Sequence, residues 1–416
     1  MTLLRITTAQ SFDSGVDRLQ QRQRELADTQ ERLTSGKRVA KASDDPTAAA
    51  RAERALAGEM RSAASQRALD ASRNAMSLTE SALADAGELM QQAREALVAA
   101  GNASYSDTER AGVAERLAAI RQQLLAVANR GDGDGGYLFA GQGASQAPFV
   151  DAAGGVSFRG TAGEQQVASD EAMPRSIDGQ IAWLAAASGN GLFETRNVSA
   201  TAATAGAWID RGRVADPQTF YAATSPPVVA NPAALTYRVD FTPGAGGTTY
   251  SVLKDGAATA LTNLPFVSGQ AIEIDGMSFA VSGKPGAGDA FELVLATPSL
   301  GVFDTIDQAI AELKTPLRSS AAIAQGVAAA LSDVDGSMTA LQSLRSRVGE
   351  VLNRADRVEG HIAAQTLAAQ TERSNAEDLD MVQAISEFQN RQTGYEAALK
   401  TYSSVQRMSL FQYLNF

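Results

Sequence analysis

Leu69, Met76, Leu83, Met90 and Leu97 recur at every seventh position, and the companion positions Ser72, Thr79, Ala86, Ala93 and Ala100 are all small. A seven-residue apolar repeat belongs to a long helix that packs along its length against other helices, because each large side chain returns to the same seam. Large residues set against small ones let neighbouring helices approach closely. Upstream, Ser43-Asp44-Asp45-Pro46 supplies capping side chains, followed by the ring whose fixed φ suits a first helical turn. The spacing predicts one helix from about Pro46 to Ala100. At about 1.5 Å per residue it would be about 80 Å long, a rod rather than part of a globule.

Other helices flank this one. Phe12, Val16, Leu19, Gln23, Leu26, Gln30 and Leu33 step by four and three, which places them in one helical stripe. Glutamine at two stripe positions makes the seam too polar for a solitary core helix. It suits packing among identical copies, where a polar seam position can fix register. Thr34-Ser35-Gly36-Lys37 supplies a stop with glycine. Ser106 and Glu109 then form a capping box, and Val113, Leu117, Ile120, Leu124 and Val127 make the next stripe. That helix ends in Arg130-Gly131-Asp132-Gly133-Asp134-Gly135-Gly136.

From Tyr137 to about Pro298 the period changes to two. Leu235, Tyr237, Val239 and Phe241 alternate with polar or small residues, as do Ile272 with Ile274 and Phe279 with Val281. Asp275-Gly276 marks a tight hairpin. Helical periodicity returns at Phe303, Ile306, Ile310 and Leu313, and again from Ile323 to Leu352. The final stripe, Met381, Ile385, Phe388, Gln392, Tyr395, Leu399, Tyr402, Gln406 and Ser409, repeats the design of the first, glutamine interruptions included. The expected order is helix, helix, helix, β-insertion, helix, helix. The fold class is therefore mainly α with a β-rich insertion: a coiled-coil-like rod of long antiparallel helices from the terminal thirds, plus a small antiparallel β domain. The terminal stripes can satisfy each other as an intramolecular hairpin, or wait for neighbours. The glutamines favour segments that are loose until they meet sister copies.

At 416 residues the chain exceeds what one core usually organises. Hydrophobic residues make up 44% but aromatics only 6%, a balance that suits long helices. The net charge of −11 would repel a phosphate backbone, so nucleic acid is an unfavourable partner. No stretch approaches the ~20 apolar residues of a membrane helix, and residues 1–12 lack the apolar run of a signal peptide. With no cysteine there is no disulfide or thiol chemistry. The single histidine, His361, would have to carry any triad or histidine metal cluster alone, so a solvated helix position is the better reading. Asp132 and Asp134 lack the later acidic ligands of a calcium loop, and the glycines around them follow a helix, not the strand that a dinucleotide fingerprint needs. Nothing in the sequence pairs Asp240, Asp275 or Glu292 as an acid and base. No catalytic, cofactor or metal site is expected.

Leu33-Thr34-Ser35-Gly36-Lys37-Arg38-Val39, followed by Ala42-Ser43-Asp44-Asp45-Pro46-Thr47-Ala48-Ala49, resembles the N-terminal signature of flagellins and their junction proteins. Arg5-Ile6-Thr7 and Ser11-Phe12 look more like a hook–filament junction protein than flagellin. Tyr137-Leu138-Phe139-Ala140-Gly141 with Ala147-Pro148-Phe149 resembles the hairpin after the second helix of junction proteins, Gly288-Asp289-Ala290-Phe291 resembles a run in the outer domains of hook-associated proteins, and the C-terminal Leu410 to Phe416 also fits. The likeness covers both terminal thirds well and the insertion poorly.

The resemblance implies a structural subunit, exported through the flagellar type III apparatus and held beforehand by an export chaperone. It would form a short ring of identical copies between the hook-side junction protein and flagellin. Its assembly interface would be Phe12, Val16, Leu19, Gln23, Leu26 and Leu33 with Ile385, Phe388, Gln392, Tyr395, Leu399 and Tyr402. The corresponding organisation is an inner axial segment over 1–42 and 374–416, a rod over 43–176 and 300–373, and an outer β-rich insertion over 177–299. Rival expectations are flagellin itself, a soluble coiled-coil scaffold, and an enzyme housed in the insertion.

Overall fold

A computed structural model describes residues 8–144, 146–167, 172–200, 205–225 and 235–413, with side chains near the two ends described from Asp13 to Ser404. Eight helices lie among these residues: α1 (Thr8–Ser35), α2 (Pro46–Ala100), α3 (Asp107–Ala128), α4 (Gly179–Leu184), α5 (Pro217–Thr224), α6 (Val302–Lys314), α7 (Ser320–Glu377) and α8 (Met381–Tyr413). The expected architecture, mainly α with a β-rich insertion, is what the chain adopts. Two details differ. Three helices, not two, follow the insertion: the chain leaves helix between Lys314 and Ser320, and again at Asp378-Leu379-Asp380, where Asp380 accepts bonds from the Val382 and Gln383 N–H groups at the new start. The insertion also holds the short helices α4 and α5, capped by Asp178 and Asp216.

The chain divides into two compact units, Met1–Arg67 with Val358–Phe416, and Ala68–Arg357. In the second unit the heptad residues Leu69, Met76, Leu83, Met90 and Leu97 and their small companions Ser72, Thr79, Ala86, Ala93 and Ala100 are all buried. Met76, Leu83, Met90 and Leu97, with Ala86, Ala93 and Ala100, join Leu117, Ile120 and Leu124 of α3, Phe303 and Ile306 of α6, and Val334, Leu341 and Val348 of α7 in one core. Ser106 makes the capping box at the start of α3, as expected.

The antiparallel hairpin Phe149–Ala152 and Gly155–Phe158 packs into that core through Phe149 and Val156. Trp183 stacks on Phe303 at 5.8 Å between ring centroids and meets Phe139 edge-on at 5.4 Å. Gly179, with its backbone against the Phe139 carbonyl, lets α4 approach this closely: a Cβ there would stand 2.2 Å from that oxygen. Arg121 of α3 is a buried strap, with both Nη atoms on Asp151 of the hairpin and Nε 2.6 Å from Asp307 of α6.

The insertion has its own core. One sheet runs, in order, Ala257–Ala258, Gly247–Lys254, Thr236–Gly244, Ala290–Leu295 and Phe193–Asn197, and Leu264–Pro265 also pairs with Gly247–Lys254. The other runs Ala271–Ile274, Met277–Gly283 and Ala207–Ile209, with Arg213–Val214 also on Met277–Gly283. Tyr237, Val239, Phe241, Phe279, Val281, Phe291 and Leu293 fill the buried side. The Asp275-Gly276 turn has positive φ at both residues, 46° and 80°, as a two-residue hairpin with the strands' twist requires.

Candidate assembly interface

The first unit contains the signature segment and both terminal stripes. Its helices α1 and α8 lie antiparallel: Arg391 donates to the Glu25 carbonyl at 3.0 Å, Gly394 lies beside Arg22, and Gly15 lies against the Tyr402 ring. The pair is held at one end by a backbone clasp. α1 stops because Gly36 turns to φ 70°, and its N–H closes on the Arg32 carbonyl at 2.9 Å. Beyond it the chain runs extended past the α7–α8 break, with the Arg38 N–H donating to the Glu377 carbonyl at 2.7 Å and the Leu379 N–H to the Gly36 carbonyl at 3.0 Å.

The signature side chains reinforce this clasp. Arg38 donates to the Ala376 carbonyl at 2.8 Å and to Asp45 at 3.3 Å, while Lys37 pairs with Glu377 at 3.0 Å. Asp45 caps α2, accepting from the Ala48 and Thr47 N–H groups and the Thr47 hydroxyl, with Pro46 as the first helical residue. Those bonds, the Ala48 N–H foremost, lower its carboxyl to about 2. Asp44 is also lowered, first by the Lys41 N–H, and it fastens the preceding turn through Ala40 and Lys41. The α2 cap is thus Asp45, and Ser43 is exposed. Sequence reasoning gave these residues a local turn-and-cap role; their bonds to residues 376–379 carried no sequence signal.

The stripes themselves are only partly covered. Val16, Leu19, Leu26 and Leu33 on α1, and Phe388, Tyr395 and Tyr402 on α8, are half-buried. Gln23 and Gln392 are exposed, Ile385 is 46% and Leu399 42% exposed, and the Phe12 side chain lies outside the described residues. The face of α8 that α1 covers runs through Ala384, Phe388, Arg391, Tyr395, Ala398 and Tyr402, stepping by four and three. Ile385, Gln392 and Leu399 sit on its open flank. The apolar stripe of α8 is therefore wider than one partner helix covers.

The acidic residues weighed as chemical candidates are held in structural bonds. His361 is exposed on α7. Asp132 accepts from the Asp134 and Gly136 N–H groups, and Asp134 pairs with Arg175 at 2.7 Å. Asp240 and Glu292 share Arg238, and Asp275 binds Lys254 and the Tyr237 hydroxyl. Among the described residues no group of histidine, cysteine, aspartate and glutamate is arranged to hold a metal ion, and no helix is long and apolar enough to cross a membrane.

Comparison with known proteins points one way. Residues 6–144 match the bacterial flagellin N-terminal helical region, and residues 331–414 match the flagellin C-terminal helical region. The chain is 24% identical to flagellar hook-associated protein 3 of Escherichia coli over 413 residues, 98% of this chain and 99% of the relative. It is 35% identical to the Salmonella typhimurium protein of the same name over 170 residues, 41% of this chain and 54% of that one. Among solved structures, FlgL of Xanthomonas campestris aligns with a TM-score of 0.66 at 25% identity, over 78% of this chain and 99% of that one. The flagellar junction protein FlgL of Legionella pneumophila aligns with a TM-score of 0.62 at 26% identity, over 70% and 95%. The paired terminal helices, the signature clasp and these likenesses together make the chain a member of the flagellin family, on its hook-associated, hook–filament junction branch.

Proposed function

We propose that this chain is a structural subunit that joins hook to filament in the bacterial flagellum as a short ring of identical copies, contacting a hook-side junction protein on one side and flagellin on the other. The observation that carries the assembly mechanism is the half-open seam of α1 and α8: Ile385 and Leu399 remain exposed and the α1 leucines half-buried when the two helices have already paired. Neighbouring copies would cover these stripes. Removing apolar area from water is worth about 25 cal/mol per Å², set against the entropy of ordering chain ends.

In this reading 1–42 and 374–416 form an inner axial layer, 43–176 and 300–373 a rod outside it, and 177–299 an outer domain facing solvent. The role is structural rather than catalytic and uses no cofactor. Export would proceed through the flagellar type III apparatus with a chaperone on the C-terminal segment. Deleting the gene is the direct test: intact hooks, no filaments and flagellin monomers secreted to the medium are expected, whereas normal filaments overturn the junction role. Filament elongation by the purified chain on seeds would instead make it the filament subunit.

A further inference from the structure

The insertion meets α7 through a strip quite unlike the apolar cores on either side of it. Ala328, Ala329, Ser332, Asp333 and Gly336 lie three, four, seven, eight and eleven residues beyond Gln325 on one face of α7, and all are small or polar. The Ile209 N–H donates to the buried Gln325 side chain at 2.7 Å, and the buried Ser332 hydroxyl donates to the Gly189 carbonyl at 3.0 Å. Arg211 reaches the same carbonyl at 2.9 Å. Between the insertion and the helix remains a small, partly open cavity of about 30 Å³, lined by Glu194, Thr195, Arg211 and Asp333 among others. That is room for about one water molecule beside two carboxylates.

The charges around Asp333 come from each packed element. The strand Phe193–Asn197 brings Glu194 and Arg196; the turn after Ala207–Ile209 brings Arg211; α7 itself adds Asp335, which lies 3.7 Å from Arg211 and 2.8 Å from Arg94 of α2. The two nearby arginines are largely committed elsewhere. Arg196 grips Glu194 with bonds of 2.8 and 3.0 Å, and Arg211 divides itself between the Gly189 carbonyl and Asp335. An ionised Asp333 thus sits against a second carboxylate with incomplete compensation.

We propose that this contact is a protonation-controlled latch, in which the insertion is held on α7 while Asp333 carries a proton and the hold loosens when Asp333 ionises. Burial, then the Glu194 charge, raises the Asp333 carboxyl from 3.8 to about 6, against the opposing pull of the Gly189 N–H and the two arginines. A released, solvated Asp333 loses its proton near 3.8 while the docked one keeps it to about 6, so docking weakens as pH rises through that window and levels off above it. From pH 5 to pH 7.5 the docking equilibrium should fall roughly tenfold.

Hydrogen exchange of the full-length chain reads this at the Ile209 amide, whose acceptor is on α7. After correction for intrinsic exchange, its protection should drop roughly tenfold between pH 5 and pH 7.5, with the Ile120 amide in α3 unchanged. D333N should abolish the dependence, and E194Q should move it to lower pH. A flat wild-type profile, a D333N chain that keeps the dependence, or parallel loss at Ile120 overturns the latch. Should D333N fail to fold, an E194Q window that does not move overturns it equally.

Discussion

In the unit Ala68–Arg357 the fully buried side chains include Trp183, Phe139, Phe149, Phe303, Leu69, Met76, Leu83 and Met90. In the unit formed by the two ends of the chain, the buried residues among those described are Val39, Ala48, Ala52, Ala55, Val358, Ile362, Ala376 and Ala384, with Thr29, Ser62 and Ser65. Both units are built from long helices, yet one packs aromatics and large aliphatics at its centre and the other packs alanine. Alanine contacts let α2 and α7 run close, as at Gly58 beside Ala369, but they remove little apolar area from water. Meanwhile the end unit leaves Met60, Leu367 and Val382 more than half exposed. One region carries its own stability; the other holds its shape largely by backbone bonds and ion pairs and leaves most of its larger apolar side chains exposed or only half-buried.

Trp183→Ala breaks the comparison most severely if the central core is not what holds its unit together. The indole is fully buried against Phe139, Phe149 and Phe303. Truncation should cost about 3–5 kcal/mol, because the transfer free energy of the ring and the cavity left behind add. Chemical denaturation followed by circular dichroism measures it. A loss below about 1 kcal/mol would mean that the aromatic cluster adapts freely and the contrast between the units is overdrawn.

Gly36→Ala probes the clasp instead of a core. Nothing stands within 4 Å of a Cβ built there, so the only penalty is an L side chain at φ 70°. That is about 1–2 kcal/mol, felt locally as faster exchange at the Arg38 and Leu379 amides. Unchanged exchange at those amides would show that the clasp does not depend on the turn.

How much of this could be read beforehand depended on whether the signal was local. The α2 boundaries and its buried heptad follow from a repeat within one helix, and Ser106-to-Glu109 is a pattern four residues long. The clasp joins residues 36–39 to 376–379 mostly through main-chain groups, which leave no trace in residue identity. α5 begins with Asp216-Pro217, the same signal as Asp45-Pro46, but its eight residues show too little periodicity to stand out from the surrounding β pattern. The α7 strip that receives the insertion was hidden for the opposite reason: Ser332, Asp333 and Gly336 look like a solvated face. On α8 the four-three stepping was legible, yet two adjacent stripes, one through Ala384 and Arg391 and one through Ile385 and Leu399, satisfy that spacing. Only the position of α1 decides which is covered.

That ambiguity yields the smallest expected effect on the isolated chain and the sharpest separation of the units. Replacing both Ile385 and Leu399 by alanine removes apolar groups from the open flank of α8, where they touch solvent, and substitutes a better helix former. The unfolding free energy of the monomer should change by no more than about 0.5 kcal/mol. Function should respond quite differently, with the double variant secreted at normal levels but failing to restore filaments in a strain lacking the gene. A monomer strongly destabilised by the pair would place these residues in an internal core, and filaments restored at wild-type numbers would remove the flank from the assembly interface.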